Sequence, residues 1–375
     1  MRMRVLLTNN TLAGRAGSEM YVLDVARRLK TLGHEPMAFS TQLGEVAEAL
    51  RAAAVPVVSD LNDLPTRPDI IHGQHHVETM LALLALPGVP AVFFCHGALP
   101  WEELPPVFPR IRRYVAVDEA CRERVVQETG QRQEAIPLVL NFVDLQRFEP
   151  RPLLPDRPRR ALVFSNYMSD ANHLNIVREA CARSGIELDA RGKGVYHTVA
   201  EPERLLPKYD LVFAKARAAL EAMAVGAAVV VCDTRGCGPL VTAENFDSLR
   251  PWNFGFRTMQ QALTVENLQA QINRYDAADA MVVRDKVRAQ AGLQSAVDKI
   301  VQIYEQVIAE QREQAGTNLE EELRAAGNYL SLLVPVIKRI PRGKRFFRAL
   351  PSGLRSLAEL LARTAVKLVR RLRKR

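Results

Sequence analysis

The 375-residue chain lacks any unbroken hydrophobic stretch that could cross a bilayer. Its longest uncharged apolar run, residues 80–95, is cut by Pro87, Gly88 and Pro90, whereas a spanning helix needs about 18 or more apolar residues in succession. No secretory leader is visible, because the first apolar run, residues 5–7, is far too short. Cysteine is scarce. The five present are an odd number without metal-like spacing, and Cys232 and Cys237 are too far apart for a CxxC pair. That argues against a disulfide framework and for free thiols in a reducing cytoplasm. HExxH is missing, and so is the GxGxxG dinucleotide fingerprint. Net positive charge is missing from most of the chain. Residues 338–375 hold fourteen Lys or Arg and one acid, Glu359, a net of +13, so the overall +9 leaves 9 − 13 = −4 on the other 337 residues. An acidic body repels phosphate backbones, which argues against a nucleic-acid partner.

What is present is globular: 48% apolar and 25% charged residues, in a chain longer than one core usually supports. Short apolar runs at 4–8, 36–40, 69–72, 91–95, 114–117 and 136–140 read as strands, separated by helical spacing. The clearest helix covers 21–32, with Val22, Val25, Ala26, Leu29 and Leu32 on one face and Gly33 as the stop. Continuous apolar strands alternating with helices predict a parallel sheet covered on both faces. "EPRPLLPDRPRR" then marks a boundary by its proline density. A second series follows, with strands at 161–165, 186–190, 210–214 and 227–232 and a closing helix near 295–313. The expected organisation is an N-terminal Rossmann-like domain at 1–150, a second at 151–313 and a basic helical tail at 314–375. Two such α/β domains in series form a cleft at the carboxyl ends of their sheets, where ligands bind in this class.

Several motifs bear on chemistry. "TNNTLAGRAGSEMYVLDVARRL" puts Gly14 and Gly17 between the first strand and helix, with Ser18 as an expected N-cap; free amides there attract a phosphate or carboxylate. A plain tight turn is the alternative. "IIHGQHH" ends a strand with His72, His75 and His76, and "VFFCHGALPW" ends another with His96. Polar lining of a ligand site reads better than zinc, for which the ligand set is poor. Glu221 is a lone carboxylate among Ala218, Ala219, Leu220, Ala222 and Met223, and a buried carboxylate must find donors or a cavity. Two readings stand: a bidentate acceptor for ribose hydroxyls, or an ion pair with Arg217 at i−4. In "TRGCGPL" after the next strand, Gly236 and Gly238 offer exposed amides. "NFDSLRPWNFG" supplies Asn245, Arg250 and Asn253 for a substrate loop, or for a capped connection.

These stretches resemble a known family. "GSEMYVLDVARRLKTLGHE", "YVAVDEACRERVV", "IPLVLNFVDLQRFEP" and "LEAMAVGAAVVVCD" are together similar to the motifs of family 4 glycosyltransferases of the GT-B fold, and the likeness covers roughly residues 3–310. It implies two Rossmann-like doubly wound domains facing a cleft. It also implies sugar transfer from a nucleotide sugar to an acceptor, usually with retention and without a metal or other cofactor. In that family the second Glu of a Glu-x7-Glu pair contacts the ribose, and Glu221 matches it, but the first Glu falls at Phe213. His96 matches the histidine implied to lie beside the transferred sugar. The family's Arg and Lys that neutralise the diphosphate are absent from "FSNYMSDANH". Lys193, Lys215 and Arg217, with the amides of Gly236 and Gly238, are the expected substitutes.

In the tail, Leu354, Leu357, Leu361, Ala365, Leu368 and Leu372 share a helical face, with Arg355, Arg363, Lys367, Arg370 and Arg371 elsewhere. Such a basic amphipathic helix binds an anionic membrane surface. The expected location is the cytoplasmic face of the cell membrane, and the expected acceptor a lipid-linked or lipopolysaccharide glycan of the cell envelope. A sugar-nucleotide epimerase, or an inactive nucleotide- or glycan-binding protein, are the competing readings.

Overall fold

The structure is a computed structural model that describes residues 1–313 and 318–338. The chain separates into two compact units. The first comprises Met1–Ala116, Cys121–Pro137 and the chain from Lys299 onward; the second comprises Val117–Ala120 and Leu138–Asp298.

The first unit alternates strand and helix: β1 (Arg4–Thr8), α1 (Gly17–Thr31), β2 (Glu35–Phe39), α2 (Glu45–Ala52), β3 (Val57–Val58), β4 (Ile70–Gly73), α3 (His76–Ala85), β5 (Ala91–Cys95), β6 (Ile111–Ala116) and α4 (Glu119–Thr129). The six strands form one parallel sheet in the order β3-β2-β1-β4-β5-β6. Every residue of β5, AVFFC, is buried, as a strand covered on both faces requires. α1 buries Val22, Val25, Ala26 and Leu29, and Gly33 at φ +83° turns the chain off the helix. A strand was expected at 136–140, but the structure has only a 3-10 turn at Gln133–Ala135 and irregular chain after it. Pro137 has no N–H for a ladder; its carbonyl accepts from Ala116 at 3.1 Å.

The second unit contains β7 (Arg160–Phe164), α5 (Leu174–Arg183), β8 (Glu187–Arg191), α6 (Pro202–Leu205), β9 (Leu211–Ala214), α7 (Ala216–Val225), β10 (Ala228–Asp233), β11 (Gly236–Leu240), α8 (Phe246–Leu249), α9 (Val265–Ile272) and α10 (Ala277–Gln290). Its sheet runs β11-β10-β9-β7-β8, parallel except for β11. The two faces have separate cores. Val212, Ala214 and Leu162 pack with α7 and α10, whereas Leu211, Phe213, Ala161 and Val163 pack with α5 and α9. This is the period-two alternation of a strand. α11 (Leu293–Glu313) carries the chain from the second unit into the first, and α12 (Leu319–Lys338) follows there. Among the described residues, no helix is long and apolar enough to cross a membrane.

Candidate functional site

In the first unit, the carboxyl ends of β1, β4 and β5 gather a set of buried polar side chains. Asn9, His72, Gln74, His75, His76, Glu78 and Glu103 are each 6% exposed or less. Several are linked by direct contacts. His72 stacks on Phe94 at 3.8 Å between centroids, and the Tyr21 ring lies 4.3 Å from His96 and 5.7 Å from His72. His75 Nε2 is 3.4 Å from Glu103 Oε1, and the His96 amide donates to Glu103 Oε2 at 3.0 Å. The Asn10 amide donates to His75 Nδ1 at 3.3 Å. His76 packs edge-on against Trp101 and shares a 2.8 Å hydrogen bond with the Tyr329 hydroxyl. His72 is hydrogen-bonded to the Tyr304 hydroxyl.

Burial sets the charge of this group. It lowers the pKa of His72 well below its ordinary value, of His75 and His96 to about 3 and of His76 to about 4, so all four are neutral at pH 7. It raises Glu78 and Glu103 to about 7, leaving each partly protonated. His96 is half-buried overall, yet its Nε2 is shut off from solvent. Among the described residues that atom has no hydrogen-bond partner, and neither do His72 Nε2, His76 Nε2, Asn9 Oδ1, Glu78 Oε1 or the Gln74 amide group. Buried polar atoms normally find partners, and unsatisfied ones are costly. His75 also sits at φ +58°, a left-handed conformation unusual for a non-glycine residue and concentrated at functional sites. The arrangement offers a nearly neutral set of hydrogen-bonding groups, which suits a polyhydroxylated ligand better than an anion. The sequence signals the histidines but not Glu78, which sits in ordinary helical spacing on α3, or Glu103, which ends a short 3-10 turn after Pro100.

The second unit differs. At the carboxyl ends of β7, β9 and β10, Ser165 Oγ donates to Asp233 Oδ1 at 3.0 Å and Lys215 forms an ion pair with the same carboxylate. Lys215 Nζ also sits 4.6 Å from the centroid of the Tyr167 ring, and the Tyr167 ring is exposed. Lys215 is the N-cap of α7 and brings no capping bond of its own; Ala216 follows at φ +51°, its amide donating to the Phe254 carbonyl at 3.0 Å. One turn on, Arg217 Nε donates to Glu221 Oε1 at 2.8 Å, with Glu221 5% exposed. The i−4 ion pair expected as one of two readings is therefore formed. The β9–α7 turn thus places Lys215 against Asp233 at the end of β10, and the first two turns of α7 add Arg217 and Glu221. Asp233 was missed in the sequence because it reads as the last residue of an apolar strand.

Phe213 does not lie in this group. It is fully buried between α5 and α9, on the opposite face of the sheet from α7. Gly236 and Gly238 were expected as exposed amides in a loop. They are instead buried in β11, and a Cβ at either would fall 2.7 Å from a backbone oxygen, of Gln261 and Thr258 respectively. Glycine is needed there for close backbone packing. Ser18 is not the N-cap of α1: Ala16 holds that position, and Ser18 donates to Glu19 at 2.9 Å. Gly17 is the first residue of α1, exposed, with open space around it, and Gly14 lies half-buried in the preceding bend. Lys193 is exposed, and its amide donates to Asn166 Oδ1 at 3.0 Å.

The loop expected to line a substrate, Asn245, Arg250 and Asn253, is engaged in holding the unit together. Asn245 accepts from the Thr242 amide at 2.8 Å and donates to the Leu240 carbonyl at 2.9 Å. Arg250, 6% exposed, donates to Asn253 Oδ1 at 2.7 Å and to the Asn141 carbonyl at 2.6 Å. Asn253 in turn accepts from the Asn141 amide and donates to the Val117 carbonyl. Burial lowers the Arg250 pKa to about 10, still charged at neutral pH. Of the tail expected at 314–375, residues 319–338 form α12, and the basic amphipathic segment expected to meet a membrane, 354–372, lies outside the described residues. Among those described, no three His, Cys, Asp or Glu side chains are grouped as metal ligands.

Residues 15–147 match the family model for Glycosyltransferase Family 4. No curated protein matches the chain. Among solved structures, a glycosyltransferase from Rickettsia africae ESF-5 is 13% identical, with 82% of this chain and 99% of that one covered at a TM-score of 0.60. The Anabaena protein HepE, solved with UDP and glucose, is 15% identical, with 81% and 100% covered at 0.57. At such identities the likeness shows the fold: two parallel-sheet α/β units of the GT-B kind, as the motifs had led us to expect.

Proposed function

We propose that this protein is a glycosyltransferase that takes a nucleotide-sugar donor on its second unit. The observation that carries the reading is the pairing of Lys215 with Asp233 and Arg217 with Glu221 at the first turn of α7, where the parallel sheet ends. A helix N-terminus flanked by cations favours a phosphate, and carboxylates held in place beside it are acceptors for ribose hydroxyls. An incoming diphosphate competes with Asp233 for Lys215 and with Glu221 for Arg217. Lys193 is the further cation proposed for the donor; Gly236 and Gly238, buried in β11, are not. On the first unit, His96 and the neutral histidine cluster are proposed to bind sugar hydroxyls, and the loop of Gly14 and Gly17 to contact the acceptor. We further propose metal-independent, retaining transfer. The acceptor proposed is a glycan or lipid-linked glycan at the inner face of the cell membrane, with the basic tail holding the protein there. The match to the Glycosyltransferase Family 4 model and the fold support this reading.

The test is thermal shift and calorimetry with a panel of nucleotides and nucleotide sugars. Glu221→Gln is expected to weaken the best binder roughly ten-fold or more, because a charge-assisted hydrogen bond is worth about 1.5–3 kcal/mol. Unchanged affinity removes the ribose role. A second reading, binding without turnover, is favoured by one observation: Lys215 and Arg217 are both already held by internal carboxylates. Nucleotide release that appears only when acceptor is added separates transfer from mere binding.

A further inference from the structure

α12 is amphipathic in an unusual sense. Its inner face is bound to the first unit. Glu322 accepts two bonds from the fully buried Arg110, Nε–Oε1 at 2.7 Å and Nη2–Oε2 at 3.1 Å, and Arg110 also donates to the carbonyls of Leu83, Leu86 and Val89. Tyr329 bonds His76, and Leu333 is buried. One flank of the helix, about a quarter-turn from that buried face, carries Leu319, Leu323, Leu330 and Val334 at helical spacing, 69%, 65%, 45% and 41% exposed; Leu332, 61% exposed, lies on the other side of the helix. Leu84 on α3, the helix whose His76 Tyr329 holds, is exposed as well. Isolated surface leucines are ordinary, but a stripe of them along one helix marks an interaction surface.

We infer that this exposed flank of α12 lies in an anionic lipid interface, so that the membrane contact begins at Leu319 rather than in the basic tail. The occupant follows from what the chain does next. After Lys338 come 37 residues rich in Lys and Arg, and the segment 338–375 has a net charge of 9 − (−4) = +13. An apolar stripe running straight into such a segment combines the two terms of interfacial binding, apolar burial and attraction to anionic headgroups. The inference rests on the membrane reading proposed above and sharpens it. The docked element belongs to the unit with the histidine cluster, and one hydrogen bond, Tyr329 to His76, separates the lipid-facing helix from that cluster.

The experiment uses the full chain and vesicles of phosphatidylcholine with or without phosphatidylglycerol, in the absence of nucleotide and acceptor. Leu323→Glu with Leu330→Glu, tail intact, is expected to lower partitioning onto anionic vesicles about ten-fold or more while the melting temperature holds. Leu330→Trp is expected to show blue-shifted emission and quenching by brominated lipid. Unchanged partitioning of the double variant, or water-like Trp emission on vesicles, overturns the inference. So does a light-scattering mass showing that the double substitution dissolves a dimer, which makes the stripe a contact between copies. Deleting residues 341–375 tests the tail separately. Because no donor is present, a protein that fails here and still binds nucleotide keeps its glycosyl-transfer reading.

Discussion

The two units end their parallel sheets in opposite ways. In the first, burial has stripped the group of charge: four histidines are neutral, two glutamates titrate near 7, and several polar atoms have no partner among the described residues. In the second, charge is retained but balanced: Lys215 with Asp233, and Arg217 with Glu221. The same architecture thus supplies two chemistries. On the function proposed above, neutral donors and acceptors would discriminate sugar hydroxyls through hydrogen bonds, and paired ions would hold a charged ligand by exchanging partners. The difference arises from partners. Asp233 and Glu221 are as buried as the histidines, but each meets a cation, Lys215 or Arg217, whereas the first set packs against the uncharged rings of Tyr21, Trp101 and Tyr329, where ionisation is costly.

The comparison can be broken most severely at Phe213. Phe213→Glu restores the carboxylate that the motif would place there, but puts it in the apolar core between α5 and α9. Loss of about 4 kcal/mol or more in urea denaturation is expected, without gain of nucleotide affinity. A stable protein with tighter nucleotide binding would mean that position 213 faces the ligand after all. Next comes Arg250→Met, which leaves the Asn141 carbonyl and Asn253 Oδ1 short of a donor in a buried setting. A cost of about 2–4 kcal/mol is expected in the same assay, and nucleotide affinity measured well below the new unfolding transition stays the same.

Glu78→Gln sharpens the contrast through pH. The folded carboxyl titrates at about 7 against 4.5 for the ordinary group, so the folded state holds the extra proton between those values. Stability therefore falls as pH rises from 4.5 to 7, by up to about 3 kcal/mol for that shift. His75 and His76, at about 3 and 4 folded against an ordinary 6.5, do the reverse: their contribution is gained as pH rises from about 3–4 to 6.5. The Gln variant keeps the histidine effect and the matching effect of Glu103, and loses only that of Glu78. Its melting temperature relative to wild type is expected to be higher at pH 8 than at pH 5; a pH-independent difference would mean Glu78 is not held protonated by burial. The smallest effect belongs to Gly17→Ala. The position has open space and no left-handed φ, so stability is expected to change by less than about 1 kcal/mol. A large loss of acceptor or phosphate binding in that variant would show that backbone approach at Gly17 matters.

Much of the fold was legible because burial on both faces forces continuous apolar strands, and β5 and β10 read that way at once. Gly33 and Gly226 were legible as helix stops, since both adopt positive φ. Antiparallel β11 was not, because "GCGPL" has no strand composition and forms by pairing with β10, its glycines lying close against the backbone of residues 258–261. Pro137 removed a strand that apolar content suggested.

What the sequence determined by itself, then, was local and periodic: two alternating α/β series, their helix stops, and a lone carboxylate at Glu221 set in apolar surroundings. What tertiary structure decided was which side of a sheet each residue meets. A one-residue step along β9 sends Phe213 into one core and Ala214 into the other, so the spacing of a motif could not say that position 213 is internal. Nor could it say that Asp233, on a different strand, holds Lys215, or that buried histidines stay neutral. Those outcomes depend on neighbours far apart in the chain, and on the desolvation that only a packed fold imposes.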